Sequence, residues 1–205
     1  MSSSARRIHL QREPSSTLAD LRAQPDDGRI ELVEGSLERR ASPSYAHGDA
    51  QGALVQWLRG GFHKRGGGPG GLGGWWIVSE VEVQFDGGNV YLPDLTGWRR
   101  ERVPERPTAR PMTIRPDWVC EILSPSNRNT DLVAKQRTYH RSGVPHSWVV
   151  DPEAQLLTVQ RWTPEGYLIV LTAQRGETIR AEPFEALEWP VGVLFGDEPD
   201  DEAVR

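Results

Sequence analysis

The chain lacks the features that define several large classes of protein. It has a single cysteine, Cys120, so it cannot form an intrachain disulfide or a four-cysteine zinc site, which fits a reducing cytoplasm. No apolar run approaches the roughly 20 residues that span a bilayer. The first ten residues, MSSSARRIHL, have no apolar core of a secretion signal. We therefore expect a cytoplasmic protein without a membrane partner.

The charge of the chain is unevenly distributed. The net charge is -5, which argues against a surface coated in basic residues. Residues 97–141 nevertheless carry ten Lys or Arg and five Asp or Glu, so this window is positive and the rest of the chain is strongly acidic. A basic window is compatible with an anionic substrate. A solvated arginine-rich loop over residues 99–115 is the alternative interpretation.

Length and composition favour one domain with short tails. A chain of 205 residues that is 37% hydrophobic is long enough to bury a core. We expect a flexible tail over 1–16, a single domain over 17–195 and an acidic tail over 196–205. The glycine-rich stretch GGGPGGLGG (66–74) is interpreted as a connector. A phosphate-binding loop needs a Lys-Ser or Lys-Thr step that opens a helix, and a strand pattern follows here instead.

Hydrophobic periodicity and turn residues predict a mixed β-sheet flanked by α-helices, in the α/β or α+β class. In the first half of the chain, the predicted elements are a helix at 16–24, two strands at 28–42, and a helix from 42 that ends at Gly60-Gly61. An antiparallel hairpin of strands 75–85 and 90–98 follows, and then a strand at 117–124. The last elements are a helix that is capped by Asn129 or Thr130 and stops at Gly143, a strand at 146–152 and a closing hairpin at 155–173.

Three polar residues on these elements point to a reaction. Asp94 follows a proline within a strand, Glu121 lies on the next strand, and Lys135 lies on the helix after it. Neighbouring strands lie about 4.8 Å apart, so the two carboxylates can meet around one hard cation such as Mg²⁺. A nearby lysine can orient a metal-bound water or stabilise charge that develops on a phosphate. Together these residue types suit phosphodiester hydrolysis.

Other interpretations of the same residues stay open. Asp117 also follows a proline, but four residues of extended strand place it about 13 Å from Glu121, too far to share one ion. Pro-Asp is a common turn dipeptide. Asp131 and Lys135 have the i, i+4 spacing of an ordinary helical salt bridge. Glu121 could equally pair with an arginine.

At these residues the chain resembles a known family. The segments that carry the resemblance are PDL (93–95), PDWVCEILSPS (116–126), DLVAKQRTY (131–139) and GVPHSWVVDP (143–152). They are similar to the abundant bacterial family labelled "putative restriction endonuclease", within the PD-(D/E)XK nuclease superfamily, over roughly 17–195. The resemblance implies a restriction-endonuclease-like core in which Asp94 and Glu121 bind Mg²⁺ or Mn²⁺. The superfamily places its lysine two residues after the glutamate, where this chain has Leu123, so the resemblance points to Lys135 instead.

The resemblance bears on further residues. The family has a histidine at the position of His47, which implies a proton carrier or phosphate contact, although a capping or packing role is an equal alternative. Glu31 is a candidate outer carboxylate, or simply a strand-edge glutamate. Asp151, before a proline at a strand end, is predicted to form a turn. Tyr139 and Trp148 are predicted to belong to the core rather than the site.

These observations lead to competing hypotheses of function. The first is a Mg²⁺- or Mn²⁺-dependent endonuclease that cleaves DNA, with Asp94, Glu121, Lys135 and His47 as its site. Cleavage of both strands would favour a homodimer. The alternative is a protein that keeps the nuclease fold and binds nucleic acid or another partner without useful activity, which the acidic charge and the displaced lysine favour. An RNA or nucleotide hydrolase with the same site is a third possibility.

Overall fold

The fold is described from a computed structural model that covers residues 15–26, 28–66, 72–124 and 130–198, with only the backbone described at 130 and 131. Most of both predicted tails, the centre of the glycine-rich connector and the candidate cap Asn129 lie outside these ranges. No helix within the described ranges is long and apolar enough to cross a membrane.

The described elements follow the predicted order of helices and strands, with differences noted below. The helices are α1 (Leu18–Arg22), α2 (Tyr45–Leu54), a π-helical turn (Val55–Arg59), α3 (Gly60–Phe62) and α4 (Thr130–Arg141), with short 3₁₀ helices at Asp86–Gly88 and Val191–Phe195. The strands are β1 (Ile30–Val33), β2 (Ser36–Arg39), β3 (Trp75–Ser79), β4 (Val83–Gln84), β5 (Val90–Tyr91), β6 (Leu95–Arg99), β7 (Trp118–Ile122), β8 (His146–Asp151), β9 (Leu156–Thr163), β10 (Gly166–Gln174), β11 (Thr178–Ile179) and β12 (Trp189–Pro190).

The main sheet is mixed, as predicted. Its strand order is β10-β9-β8-β7-β6-β3. β7 and β8 are parallel, and the other neighbouring pairs are antiparallel. Parallel neighbours need a crossover connection, which α4 supplies. Gly143, which has a φ of 69°, follows α4 and lets the chain turn into β8.

The predicted antiparallel pairing of these two stretches is confirmed, but neither stretch is one continuous strand, because each is divided between two sheets. β3 pairs with β6 in the main sheet, whereas β4 pairs with β5 in a second sheet of order β2-β1-β5-β4. The first break lies at Glu80, which has a φ of 50° that an extended strand does not adopt. The second lies at Pro93, which has no N–H for a ladder. This second break places Asp94 directly before β6.

The hydrophobic core lies on both faces of the main sheet. Trp118 and Cys120 of β7 pack into a cluster that includes Ala50 and Leu54 of α2. Val119, between them, packs into a second cluster with Tyr139 of α4 and residues of the second sheet. This alternation follows from the period of two along a strand. The main sheet is therefore covered by α2 on one face and by α4 and the second sheet on the other.

Two details of the fold differ from the sequence prediction. The second helix does not end at Gly60-Gly61, because it continues through the π-helical turn and α3 to Phe62. Gly61 is buried, and a Cβ there would make ordinary contacts with Leu72 and Leu187, so this glycine is compatible with a continuing helix. The short sheet of β11 and β12 was not predicted, since two-residue strands carry no readable alternation.

Candidate active site

The register of β6 and β7 brings Asp94 and Glu121 together. Leu95 pairs with Cys120 in an antiparallel ladder. Asp94, which precedes Leu95, therefore lies opposite Glu121, which follows Cys120. The backbone N–H of Ile122 donates to Asp94 Oδ2 at 2.7 Å, which fixes the carboxylate beside β7. Asp94 is 1% exposed and Glu121 is 6% exposed. The two acids that the sequence paired are therefore buried neighbours.

Cationic and polar groups surround the Asp94 side chain. Arg40 Nη2 lies 2.6 Å and His47 Nε2 3.3 Å from the same oxygen, Oδ1. Gln51 donates to the Asp94 backbone carbonyl at 3.0 Å. Burial alone would raise the pKa of Asp94, but the His47 hydrogen bond and the Arg40 charge outweigh burial and hold this pKa below its ordinary value. Asp94 is therefore a carboxylate that stays ionised inside the protein.

Glu121 is held by two residues of α4. Lys135 Nζ lies 3.4 Å from Glu121 Oε2, and the Tyr139 hydroxyl donates a short hydrogen bond to Oε1. Burial raises the pKa of Glu121 to about 7, against the attraction of Lys135 and with further repulsion from Asp94 and Glu31. An ionised Glu121 is thus costly in this environment and would be stabilised by added positive charge.

Lys135 reaches the strands from α4. Its Nζ lies 3.1 Å from Glu31 Oε1 as well as near Glu121, and its side chain is 4% exposed. Glu31 is fixed in turn by the N–H of Leu92, which donates to Oε1 at 2.7 Å. These contacts favour the interpretation of Glu31 as an outer carboxylate, which is 2% exposed and reaches the site through Lys135. The Asp131 side chain lies outside the described residues, so its predicted salt bridge with Lys135 stays a prediction.

His47 lies in the first turn of α2 and points toward Asp94. The helix cap is Ser44, whose hydroxyl accepts from the His47 N–H at 3.2 Å. The ring is 6% exposed, and its Nδ1 is buried with no hydrogen-bond partner among the described residues. Burial would lower the pKa of His47, but hydrogen bonding and attraction from Asp94 raise it above its ordinary value. The ring is therefore placed to carry a proton beside Asp94.

These residues open into one cavity of about 330 Å³. Asp94, Glu121, Lys135, His47 and Arg40 all line it, and we call it the carboxylate cavity. The remaining lining residues are Gly28, Arg29, Ala41, Ser42, Pro43, Glu80, Ile122, Leu123, Ser124 and Leu132. Leu123, where the superfamily would place its lysine, is thus an apolar part of the wall.

The donor set of the carboxylate cavity fits a hard divalent cation. Asp94 and Glu121 offer oxygen ligands from adjacent strands, and Mg²⁺ is commonly held by one or two carboxylates plus waters. Within the described ranges, no group of three or more His, Cys, Asp or Glu is arranged to hold a metal ion. The residues therefore fit a site in which two carboxylates bind the cation and water completes its coordination. Arg40 forms an ion pair with Oδ1 of Asp94, one of the candidate ligand atoms.

Sequence reasoning missed two residues that contact the paired acids. Arg40 follows β2, and no motif marks it. Tyr139 was assigned to the core, and its ring is indeed fully buried, but its hydroxyl also binds Glu121. The i, i+4 spacing of Lys135 and Tyr139 places both on one helical face and could have revealed this contact.

The other predictions for individual residues are confirmed. Asp151 forms a turn, because its Oδ1 accepts from the backbone N–H groups of Glu153 and Ala154 at 3.0 Å each. Trp148 is a fully buried core residue. Asp117 is engaged away from the site, where it accepts from Arg102 and the backbone of Arg99.

Comparison with known proteins identifies the family. Residues 16–192 match the model of the Uma2 family, described as "Putative restriction endonuclease". The chain belongs to the Uma2 family. This confirms the resemblance in the sequence. No curated protein matches this Uma2 chain.

A solved structure confirms the fold of this Uma2 protein, and a second solved structure shows weaker similarity. One is a putative nuclease belonging to DUF820 from Anabaena variabilis ATCC 29413, with a TM-score of 0.68 and 21% identity, over 87% of this chain and 97% of that chain. At this identity the similarity shows the fold alone. A second is a chain of a DrdV–DNA complex, with a TM-score of 0.34 and 16% identity, over 75% of this chain and 14% of that chain.

Proposed function

We propose that this Uma2 protein is a Mg²⁺- or Mn²⁺-dependent endonuclease that hydrolyses DNA phosphodiester bonds. The observation that carries the proposal is that buried Asp94, directly before β6, and buried Glu121, on the neighbouring β7, share one cavity with Lys135. Family membership supports a nuclease-like function. The proposed location of the protein is the cytoplasm. Cleavage of both DNA strands would require two active sites, and this requirement favours a homodimer.

The residues of the carboxylate cavity have distinct proposed roles. Asp94 and Glu121 hold the cation, which when bound would supply positive charge and lower the pKa of a coordinated water. Lys135 stabilises charge on the phosphate, and Glu31 fixes the ammonium of Lys135 at 3.1 Å. Tyr139 positions Glu121 through its hydrogen bond.

Arg40 and His47 complete the proposed mechanism. The Arg40 guanidinium contacts Asp94 and lines the cavity, so it can bind a phosphate oxygen that enters there. His47 accepts a proton from the water that attacks phosphorus and gives a proton to the sugar oxygen that leaves when its P–O bond breaks.

Cleavage of supercoiled plasmid DNA with Mg²⁺ tests the proposal. Wild type is expected to nick the plasmid, and Glu121→Gln, which keeps the size of the side chain, is expected to be at least about a hundredfold slower. The matched control is Asp117→Asn, a second buried acid on the same stretch of chain that does not line the carboxylate cavity, and it should cleave at the wild-type rate. Equal rates for wild type and Glu121→Gln would contradict the assignment.

A second candidate function has a specific observation in its favour. Each carboxylate oxygen of Asp94 and Glu121 already accepts from a protein donor, from Arg40, His47, Ile122, Lys135 or Tyr139. Such a closed network suits a protein that binds nucleic acid or a partner without cleavage. Calorimetry with Mn²⁺ separates the two, because the second candidate predicts no metal binding together with DNA affinity that falls steeply with salt. An RNA substrate would be identified by comparing both nucleic acids in the cleavage assay.

A further inference from the structure

A second and larger cavity lies directly beside the carboxylate cavity. Its volume is about 600 Å³, and Gly28 and Glu80 line both cavities. Glu80 stands at the break between β3 and β4 with a φ of 50°, so this uncommon backbone conformation lies at the boundary between them. A substrate strand in the carboxylate cavity would therefore have the second cavity within reach.

The walls of the second cavity are aromatic and apolar. Trp76 of β3 and Trp98 of β6 are direct cross-strand partners, so both side chains lie on one face of the main sheet. Trp98 is 1% exposed, whereas Trp76 is only partly buried and carries the Arg100 guanidinium over its ring, 3.4 Å from the centroid. Their indole N–H groups donate to the carbonyls of Val103 and Ile114, each at 2.9 Å, which fixes the rings. Val78, two residues after Trp76, extends this face, and we call the space the tryptophan cavity. A fixed and partly exposed indole within an apolar wall suits a flat ligand.

Cations stand around the tryptophan cavity. Arg59, Arg106 and Arg110 all line it. Arg110 is neutralised by ion pairs with Asp26 and Glu82. Within the described part of the chain, Arg59 and Arg106 form no ion pair with a carboxylate, and Arg59 Nη1 donates to the Ile77 carbonyl at 2.5 Å. Two acids also line the cavity, and both are in ion pairs, Glu80 with Arg40 and Glu82 with Arg22 and Arg110. The cavity therefore combines an apolar wall that includes Trp76 with the positive charges of Arg59 and Arg106, which suit an anionic group.

We propose that the tryptophan cavity binds a nucleobase of the strand whose phosphodiester bond lies in the carboxylate cavity. The Trp76 ring and the apolar wall beside it receive the base, and Arg59 and Arg106 contact the phosphates that flank it. Bases stack on aromatic side chains with little sequence preference, whereas cations follow the backbone. The inference rests on the proposed function and deepens it, because it names the class of substrate.

The shape of the cavity decides which form of DNA it accepts. A protein that reads a duplex places a helix or ribbon into a groove, which a concave cavity cannot do. A base can enter the tryptophan cavity only when it is unpaired and out of the stack. The preferred substrate is accordingly single-stranded or locally opened DNA.

Binding of a fluorescein-labelled oligonucleotide of about a dozen nucleotides tests the inference by anisotropy, with Ca²⁺ in place of Mg²⁺. The same sequence is measured as a single strand and as a duplex. Val78→Phe fills the tryptophan cavity without removing core packing, and Arg106→Gln removes one charge. The matched controls are Val133→Phe, at a half-exposed position of α4, and Arg180→Gln, neither of which lines either cavity.

Wild type is expected to bind the single strand at least tenfold more tightly than the duplex. Val78→Phe should lose about tenfold in single-strand affinity, the size of one stacked base. Arg106→Gln should reduce the slope of log affinity against log salt by about 0.7. Both controls should bind as wild type does.

Two results would overturn the inference, and they differ. If Val78→Phe and Arg106→Gln bind the single strand as wild type does while wild type cleaves DNA, the tryptophan cavity has no part in binding and the proposed function stands. If wild type neither binds nor cleaves DNA of either form, the proposed function fails and the inference fails with it.

Discussion

Lys135 Nζ lies 3.1 Å from Glu31 Oε1, so an ion pair that is almost fully buried joins α4 to the second sheet. The same ammonium lies 3.4 Å from Glu121. Lys135 is thus the positive charge that two buried carboxylates share. This arrangement makes the lysine a structural requirement as well as a proposed catalytic group.

Replacing Lys135 with methionine should therefore destabilise the protein. The change leaves Glu31 and Glu121 buried without their cation, and breaking one partner of a buried ion pair costs about 3–5 kcal/mol. Urea unfolding measures the loss. The double variant Glu31→Gln, Lys135→Met should recover part of it, because one of the uncompensated charges is then absent. A double variant less stable than Lys135→Met would contradict the shared-charge arrangement.

Replacing Tyr139 with phenylalanine should cost about 1–3 kcal/mol, because Glu121 then loses a buried hydrogen-bond donor while the packing of the ring is kept. The matched control is Tyr91→Phe, whose hydroxyl interacts with Thr138 Oγ1 rather than with an acid. We expect plasmid cleavage to slow in Tyr139→Phe and to persist in Tyr91→Phe. Equal cleavage rates in the two variants would argue against a positioning role for Tyr139.

His146 should make the folded state sensitive to mild acid. Burial lowers the pKa of His146 from 6.5 to about 4, and the charges of Arg99 and Arg161 contribute. Between these two pKa values, His146 binds a proton in the unfolded chain but not in the folded chain. The contribution of His146 to stability is therefore complete above pH 6.5 and is lost as the pH falls toward 4. Because the His146 side chain is 18% exposed, we expect this pKa shift to contribute about 1–2 kcal/mol to the free energy of unfolding.

Urea unfolding at several pH values measures this contribution. His146→Gln cannot take up the proton, so its stability should fall less than that of wild type between about pH 7 and about pH 5. An unchanged pH dependence in the variant would show that other groups carry the effect.

The paired acids could be predicted because their positions depend on local structure. Asp94 and Glu121 lie on strands that are consecutive in the sheet, and consecutive strands commonly pair. Lys135 lies on the helix that directly follows, so its approach to Glu121 depends on one crossover. The fold class was predictable for the same reason, since α4 between two strands implies a parallel pair.

Arg40 and the second sheet could not be predicted because they depend on distant contacts. The apolar alternation of residues 75–85 runs through the break at Glu80 without a visible change, so one strand was expected where two exist. The break carries β4 and β5 beside β1, and Arg40, just past β2, then meets Asp94. No local sequence pattern indicates the contact between Arg40 and Asp94.

Diffraction from crystals soaked in Mn²⁺, with anomalous data, tests the central claim most directly. We predict an anomalous peak between the carboxylates of Asp94 and Glu121, with Arg40 moved from Asp94 Oδ1, and no such peak in Glu121→Gln. Well-ordered carboxylates with no Mn²⁺ between them, and Arg40 still bound to Asp94 at saturating Mn²⁺, would contradict the account.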